Sequence, residues 1–266
     1  MTSAYYPRSE RGYQKLIDGQ NSPLRFLALE CVALSAGAGW SRRPDGCEAV
    51  IVPLAGAGTV TVAGHARLTG RIAREDVFTT APSAAYVPPL HALSVTAEEG
   101  LEAVVVSAPW DEPAATPMLL PAEQVAVATR GSGVWQRTVR TLFGPEGITA
   151  RLLVGETINP PGNWSGMPPH KHDSAGPEES LLEELYYFRL SPPQGYLVQL
   201  FYDRNGWHAE ELITGEGAVA ITRGYHPTVA APGTTGFYLW ALAGPEKSYK
   251  VSVDPAFEWM LEKARS

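Results

Sequence analysis

Pro168-Pro-His170-Lys-His172-Asp173 is the stretch from which the rest of the chain is read. Only six histidines occur in 266 residues, and two of them stand one residue apart here. In an extended chain, residues i and i+2 project from the same face. Both imidazoles can therefore face one centre, and Lys171 between them should point away. The next strand signal downstream, Leu182-Glu-Glu184-Leu-Tyr-Tyr-Phe188, carries carboxylates, and a third histidine lies just past another strand signal in Arg223-Gly-Tyr-His226-Pro227. Three neutral imidazoles and one carboxylate make a mixed nitrogen and oxygen donor set. Such a set suits Mn, Fe, Co, Ni or Zn and leaves positions for substrate oxygens. Taken singly the pieces are bland: a loop H-x-H is more often a solvated pair, His226 beside Pro227 reads as a turn residue, and Glu183 and Glu184 read as exposed charges. Their order along the chain is what points to a metal.

Outward from this stretch, 26 glycines and 23 prolines divide the chain into brief apolar segments rich in Val, Tyr, Phe and Thr, the pattern of a barrel or sandwich. Expected strands run over 49–54, 59–63, 103–107, 151–158, 184–190, 196–202, 218–222 and 236–242. Helix is scarce. Asp254 as N-cap and Pro255 at the first helical position predict a helix over 255–265, and a shorter one is expected over 134–143. The two halves share an ordered anatomy, with Glu48-Ala-Val-Ile-Val and Tyr86-Val-Pro-Pro-Leu-His91 matching Glu184-Leu-Tyr-Tyr-Phe and Gly224-Tyr-His226-Pro. The proline-rich stretch 108–125 reads as the linker between them, and Cys31 and Cys47 read as ordinary buried thiols.

Composition excludes several functions. A chain 44% hydrophobic and 18% charged can bury a core, and its length accommodates two small β domains. A net charge of -7 without a Lys/Arg run argues against a nucleic-acid partner. No apolar stretch approaches the roughly 18 residues that span a bilayer, so no membrane association is expected. Met1 to Gln20 carries Arg8, Glu10, Arg11, Lys15 and Asp18 and no apolar core of a secretory signal, so the expected location is cytoplasmic.

The H-x-H, the following Glu and the later Gly and His resemble the two motifs of the cupins. More narrowly, Asn159-Pro-Pro-Gly162, Pro169-His-Lys-His-Asp173, Leu182-Glu-Glu-Leu-Tyr-Tyr187, Gly224-Tyr-His-Pro227 and Leu239-Trp-Ala-Leu-Ala-Gly244 resemble the 5-deoxy-glucuronate isomerase family of myo-inositol degradation. The resemblance implies an all-β bicupin of two tandem jelly-roll barrels. Residues 1–115 would form a metal-free N-terminal barrel, and 116–266 a C-terminal barrel with the metal site and the final helix. It implies a divalent metal (Zn, Mn, Fe, Co or Ni) held by His170, His172, Glu184 and His226. Glu184 is preferred to Glu183 because Glu184-Leu-Tyr matches the family's Glu-x-Tyr segment, although strand parity alone leaves both open. The gap from His172 to Glu184 is longer than the general cupin pattern, and Thr222 stands where many cupins have Pro. The implied reaction is an aldose-ketose interconversion of a small anionic sugar acid, 5-deoxy-D-glucuronate, with the general base unnamed and a homo-oligomer expected. Arg223 and Tyr238 are the expected substrate-binding residues, with Tyr186, Gln199 and Tyr202 as further candidates for sugar hydroxyls. A related uronate ketol-isomerase, a cupin dioxygenase and a non-catalytic sugar-binding cupin are the competing readings.

Overall fold

Val, Ile, Thr and aromatic side chains favour the pleated, half-buried surface of a sheet, and the short segments that carry them form strands throughout. The computed structural model describes residues 4–9, 11–110, 112 and 115–263. The chain divides into two compact units. One comprises Met1–Arg8, Val127–Val139 and Gly155–Ser266, and the other Ser9–Ala126 and Arg140–Val154. The units thus exchange short segments, where a single cut near residue 115 was expected.

In the unit that begins at Ser9, a sheet runs in the order Gln14–Ile17, Ala28–Ser35, Ala92–Pro109, Cys47–Ala63, Ala84–Val87, Met118–Leu120. Gly39–Arg42 pairs with Ala92–Pro109, and Arg67–Arg74 with Cys47–Ala63. The segments expected as two strands, 49–54 and 59–63, are one strand of 17 residues, Cys47–Ala63. The glycines between them are not a turn. Gly56 and Gly58 flank one register shift, and a second lies between Pro53 and Ala55, where bulges bend the strand. Gly56 has a φ of 82°, and a Cβ there would overlap the Gly100 carbonyl. Part of the expected linker is sheet as well, since Met118–Leu120 pairs with Ala84–Val87. The core of this unit packs Val32, Ile51, Val60, Ile72, Leu93 and Val105.

In the other unit, the sheet order is Tyr5–Pro7, Gly217–Ile221, Glu183–Ser191, Thr235–Ala243, Leu153–Asn159, Arg137–Phe143, Ala126–Arg130. A four-stranded sheet, Trp164–Ser165, Thr228–Ala230, Leu197–Tyr202, His208–Ile213, completes it, and His170–Lys171 pairs with Ser252–Val253. Tyr186, Phe188, Leu197, Phe201, Ile213, Val219 and Tyr238 make its core. The helix expected over 134–143 is absent. Gly133–Trp135 is a single 3-10 turn and Arg137–Phe143 is a strand. Thr138, Val139 and Thr141 are β-branched and stiff at χ1, which favours strand over helix, and Gly131 and Gly133 have positive φ just ahead. The terminal helix is shorter than expected: a 3-10 turn over Pro255–Phe257, then α-helix over Trp259–Lys263. Asp254 does cap it, accepting the Ala256 N–H at 3.1 Å. Residues 264 and 265 of the expected helix lie outside the described residues. Cys31 is buried and Cys47 half-buried, both as free thiols.

Candidate metal centre

Three elements converge on the centre. Glu184 stands near the start of Glu183–Ser191 and is buried. Its Oε2 lies 3.1 Å from His172 Nε2 and 3.1 Å from His226 Nε2. Glu183, the other candidate, is only half-buried and is not part of this cluster. Each imidazole is oriented through its other nitrogen: Nδ1 of His170 meets the Pro168 carbonyl at 3.0 Å, that of His172 the Leu182 carbonyl at 2.9 Å, and that of His226 the Gly224 carbonyl at 2.8 Å. A carbonyl can only accept, so each Nδ1 carries the proton, and a neutral ring presents its Nε2 lone pair inward.

The donor atoms of His172, Glu184 and His226 all lie within 4.8 Å of one another. His226 Nε2 is buried and makes no aligned hydrogen bond despite its approach to Glu184. Two imidazole lone pairs and a carboxylate oxygen aimed at one another repel unless a cation or proton lies among them, so these residues fit a divalent metal. His170 is not one of the three whose donor atoms cluster this tightly, although its ring lies beside that of His226, the centroids 5.3 Å apart. Burial alone would raise the Glu184 carboxyl, but a proton held between it and His172 or His226, in the place a metal cation would take, holds it down to about 2. Burial and then the His226 charge lower His170 to about 4, leaving it neutral at pH 7.

The wall around the cluster is aromatic. In the strand register, Tyr186 faces Trp240 and Phe188 faces Tyr238. The Tyr186 and Tyr238 rings are 4.5 Å apart, and the Tyr238 hydroxyl bonds Ser165. Burial and then the Glu184 charge push the Tyr186 hydroxyl far above its usual range. Burial of its hydroxyl and then the Glu184 charge also push Tyr249 up, although 47% of that residue's surface is exposed.

Other expected contacts fall elsewhere. Arg223 stacks on Trp207, its guanidinium carbon 3.8 Å from the ring centroid, and lies 3.8 Å from Asp203 with half its side chain in solvent. It does not join the cluster. Gln199 is fully buried, but its amide serves the backbone: Nε2 donates to the His226 carbonyl at 2.7 Å and Oε1 accepts from Thr228. Gln199 thus holds the His226 loop and has no amide group left for a sugar. Tyr202 donates to Asp254 at 2.7 Å.

Sequence reading missed the network that joins the two histidine segments. Lys171 does turn from the cluster, and its Nζ meets Asp173 at 2.6 Å and Glu179 at 2.9 Å. Glu179 also accepts the N–H groups of Asp173 and Ser174 at 2.8 and 2.9 Å, and Asp173 accepts the Gly224 N–H at 2.7 Å. The insertion between His172 and Glu184 therefore braces the centre. Burial would raise Glu179, but hydrogen bonds from Ser252, Lys171 and Ser174 hold it at about 2, below its ordinary 4.5. A folded-state pKa below the unfolded one gives stability that is present above the unfolded value and lost as pH falls toward the folded value. Glu179→Gln should therefore cost about 2 kcal/mol near pH 6, allowing for solvent screening. Urea unfolding of parent and variant should converge as pH falls from 4.5 toward 2; a gap independent of pH would refute this role.

The fold and this centre define a class: an all-β cupin with a buried histidine and glutamate cluster suited to a divalent metal. The fold matches that of an oxalate decarboxylase of Lactobacillus farciminis solved with formate, at a TM-score of 0.65 and 11% identity over 94% of this chain and 86% of that one. The chain belongs to the KduI/IolB family, whose model matches residues 5–260. It is 34% identical over 259 residues to the 5-deoxy-glucuronate isomerase of Geobacillus thermodenitrificans, covering 96% of this chain and 93% of that protein. It is 35% identical over 248 residues to the enzyme of the same name from Bacillus subtilis strain 168, covering 91% and 90%. A solved IolB-like protein of Salmonella typhimurium LT2 is 29% identical, covers 96% of this chain and 98% of its own, and superposes with a TM-score of 0.90. Among the described residues, no helix is long and apolar enough to cross a membrane.

Proposed function

We propose that this chain is a metal-dependent aldose-ketose isomerase that converts 5-deoxy-D-glucuronate to 5-dehydro-2-deoxy-D-gluconate in myo-inositol degradation. The observation that carries this reading is the convergence of His172, Glu184 and His226 behind a tyrosine-lined wall in a chain of the KduI/IolB family. In this reading His172, Glu184 and His226 are the primary ligands and His170 a weaker fourth, the C-terminal barrel holds metal and substrate, and the N-terminal barrel is structural. A divalent cation in the centre supplies a Lewis acid that polarises the substrate carbonyl.

The reaction is redox-neutral: the carbonyl moves from C1 to C2 while one proton leaves C2 and one is added at C1, and the hydroxyl proton passes from O2 to O1. The chain needs no oxidant for this. Its own part is positional. The Nδ1 contacts to backbone carbonyls fix the three imidazole planes and set their tautomer. Tyr186 and Tyr238, both buried and with raised pKa values, stay protonated at neutral pH and donate hydrogen bonds to substrate oxygens. The buried wall excludes water, which strengthens each of these contacts.

Proton NMR of metal-loaded protein with 5-deoxy-D-glucuronate under argon tests the reading. Appearance of the 2-keto acid is expected. Turnover only of the product of unsaturated-uronate breakdown would reassign the substrate, and turnover only in air would replace the isomerase with an oxygenase.

A further inference from the structure

An arginine largely removed from water and without an anionic partner is costly, because burial disfavours its charge and nothing offsets the loss. Arg137, at the start of Arg137–Phe143, approaches this case, being half-buried. Its guanidinium donates to two carbonyls, Trp135 at 3.3 Å and Met167 at 3.1 Å. Met167 directly precedes Pro168, whose own carbonyl orients His170. Among the described residues no carboxylate pairs with Arg137, Glu184 included. The other shielded arginines of its unit behave differently, since Arg8 and Arg189 both pair with Glu216. Burial pulls the Arg137 guanidinium below its usual range, and its charge is felt at the hydroxyls of Tyr238, Tyr186 and Tyr249, the same three that feel Glu184.

The sheet sets the spacing. From Glu183–Ser191 to Arg137–Phe143 the order passes through Thr235–Ala243 and Leu153–Asn159. Three strand spacings put the two backbones roughly 14 Å apart, and the Arg137 contact to the Met167 carbonyl brings its guanidinium to the segment that carries His170. The Tyr238 hydroxyl, held by Ser165 and Thr157, lies on a strand between them.

We propose that Arg137 is the carboxylate anchor of this site, its planar fork receiving the acid group of a sugar whose carbonyl end lies at His172, Glu184 and His226. The proposal rests on the isomerase reading and names the residue that selects a sugar acid over a neutral sugar. Arg223, committed to Trp207 and Asp203, does not serve there. A guanidinium is suited to the role because two parallel N–H donors match a carboxylate.

The test compares the metal-loaded parent with Arg137→Met and Arg137→Lys on 5-deoxy-D-glucuronate and on 5-deoxy-D-glucose, in which a hydroxymethyl group replaces the carboxylate. Binding of D-glucuronate and D-glucose is measured calorimetrically on the same proteins. For Arg137→Met, kcat/KM on the acid should fall about a hundredfold, with the neutral sugar unchanged within about threefold, and Arg137→Lys should lie between because it keeps the charge and loses the fork. Parallel losses on both sugars, as from a strut between strand and loop, would overturn the proposal, as would unchanged discrimination. If the parent does not turn over the acid, the isomerase reading fails and binding alone decides Arg137. A preference for glucuronate that disappears in Arg137→Met supports the anchor, and equal or absent preference in the parent rejects it.

Discussion

Replacing His226 by alanine is expected to lower kcat/KM for 5-deoxy-D-glucuronate by about a thousandfold or more and to abolish tight metal binding, because a primary ligand is lost and not merely a group that orients one. His226 is 1% exposed, and its Nε2 approaches Glu184 without an aligned hydrogen bond. Its loss leaves Glu184 with His172 alone. Glu184→Gln should match it in activity, since an amide removes the negative charge while nearly preserving shape. His170→Ala is the informative contrast. Its ring stands outside the tight trio, so a smaller fall, on the order of 10- to 100-fold, is expected. Metal content by mass spectrometry and turnover by NMR check all three. A His226→Ala protein that keeps its metal and its rate would remove the trio from the mechanism.

The second large effect concerns stability. Glu48 stands second in Cys47–Ala63 as Glu184 stands second in Glu183–Ser191, yet its carboxylate is consumed by the fold. It accepts the N–H groups of Ala150, Arg151 and Leu152 at 2.6, 2.6 and 2.7 Å and the Tyr86 hydroxyl at 3.0 Å, with no exposed surface. Removing it strands three backbone donors in the interior, each costing roughly 1 to 3 kcal/mol. Glu48→Ala should therefore lose about 4 kcal/mol, and Glu48→Gln, which keeps one acceptor, about half that. Urea unfolding midpoints measure both, and an unchanged midpoint for Glu48→Ala would refute the pinning role.

These two glutamates also mark what the sequence makes legible. The H-x-H spacing, the scarcity of histidine and the order of Glu184 and His226 pointed to the centre, because strand parity and donor chemistry are local properties. The β class was legible from glycine and proline punctuation. What depends on distant pairing was not. Val134 to Phe143 read as helix, whereas Arg137–Phe143 is a strand whose partners, Ala126–Arg130 and Leu153–Asn159, lie outside the segment. Gln199 looked like a barrel-wall donor, but the backbone loop leading into the neighbouring strand claims its amide. Glu179 lay in an insertion whose length drew notice without its purpose. The lysine between the histidines was the one available signal, since a cation forced away from the centre by parity must find an acid on the outside.

The most direct test of the central claim is to remove divalent metal with a chelator, dialyse, and follow 5-deoxy-D-glucuronate by NMR under argon while metal is added back in substoichiometric steps. Turnover should be absent in the stripped protein, rise linearly and level at one metal per chain, with no rise in the His226→Ala protein. Full turnover by the stripped protein, or equal restoration of the variant, would contradict a metal-dependent isomerase built on His172, Glu184 and His226.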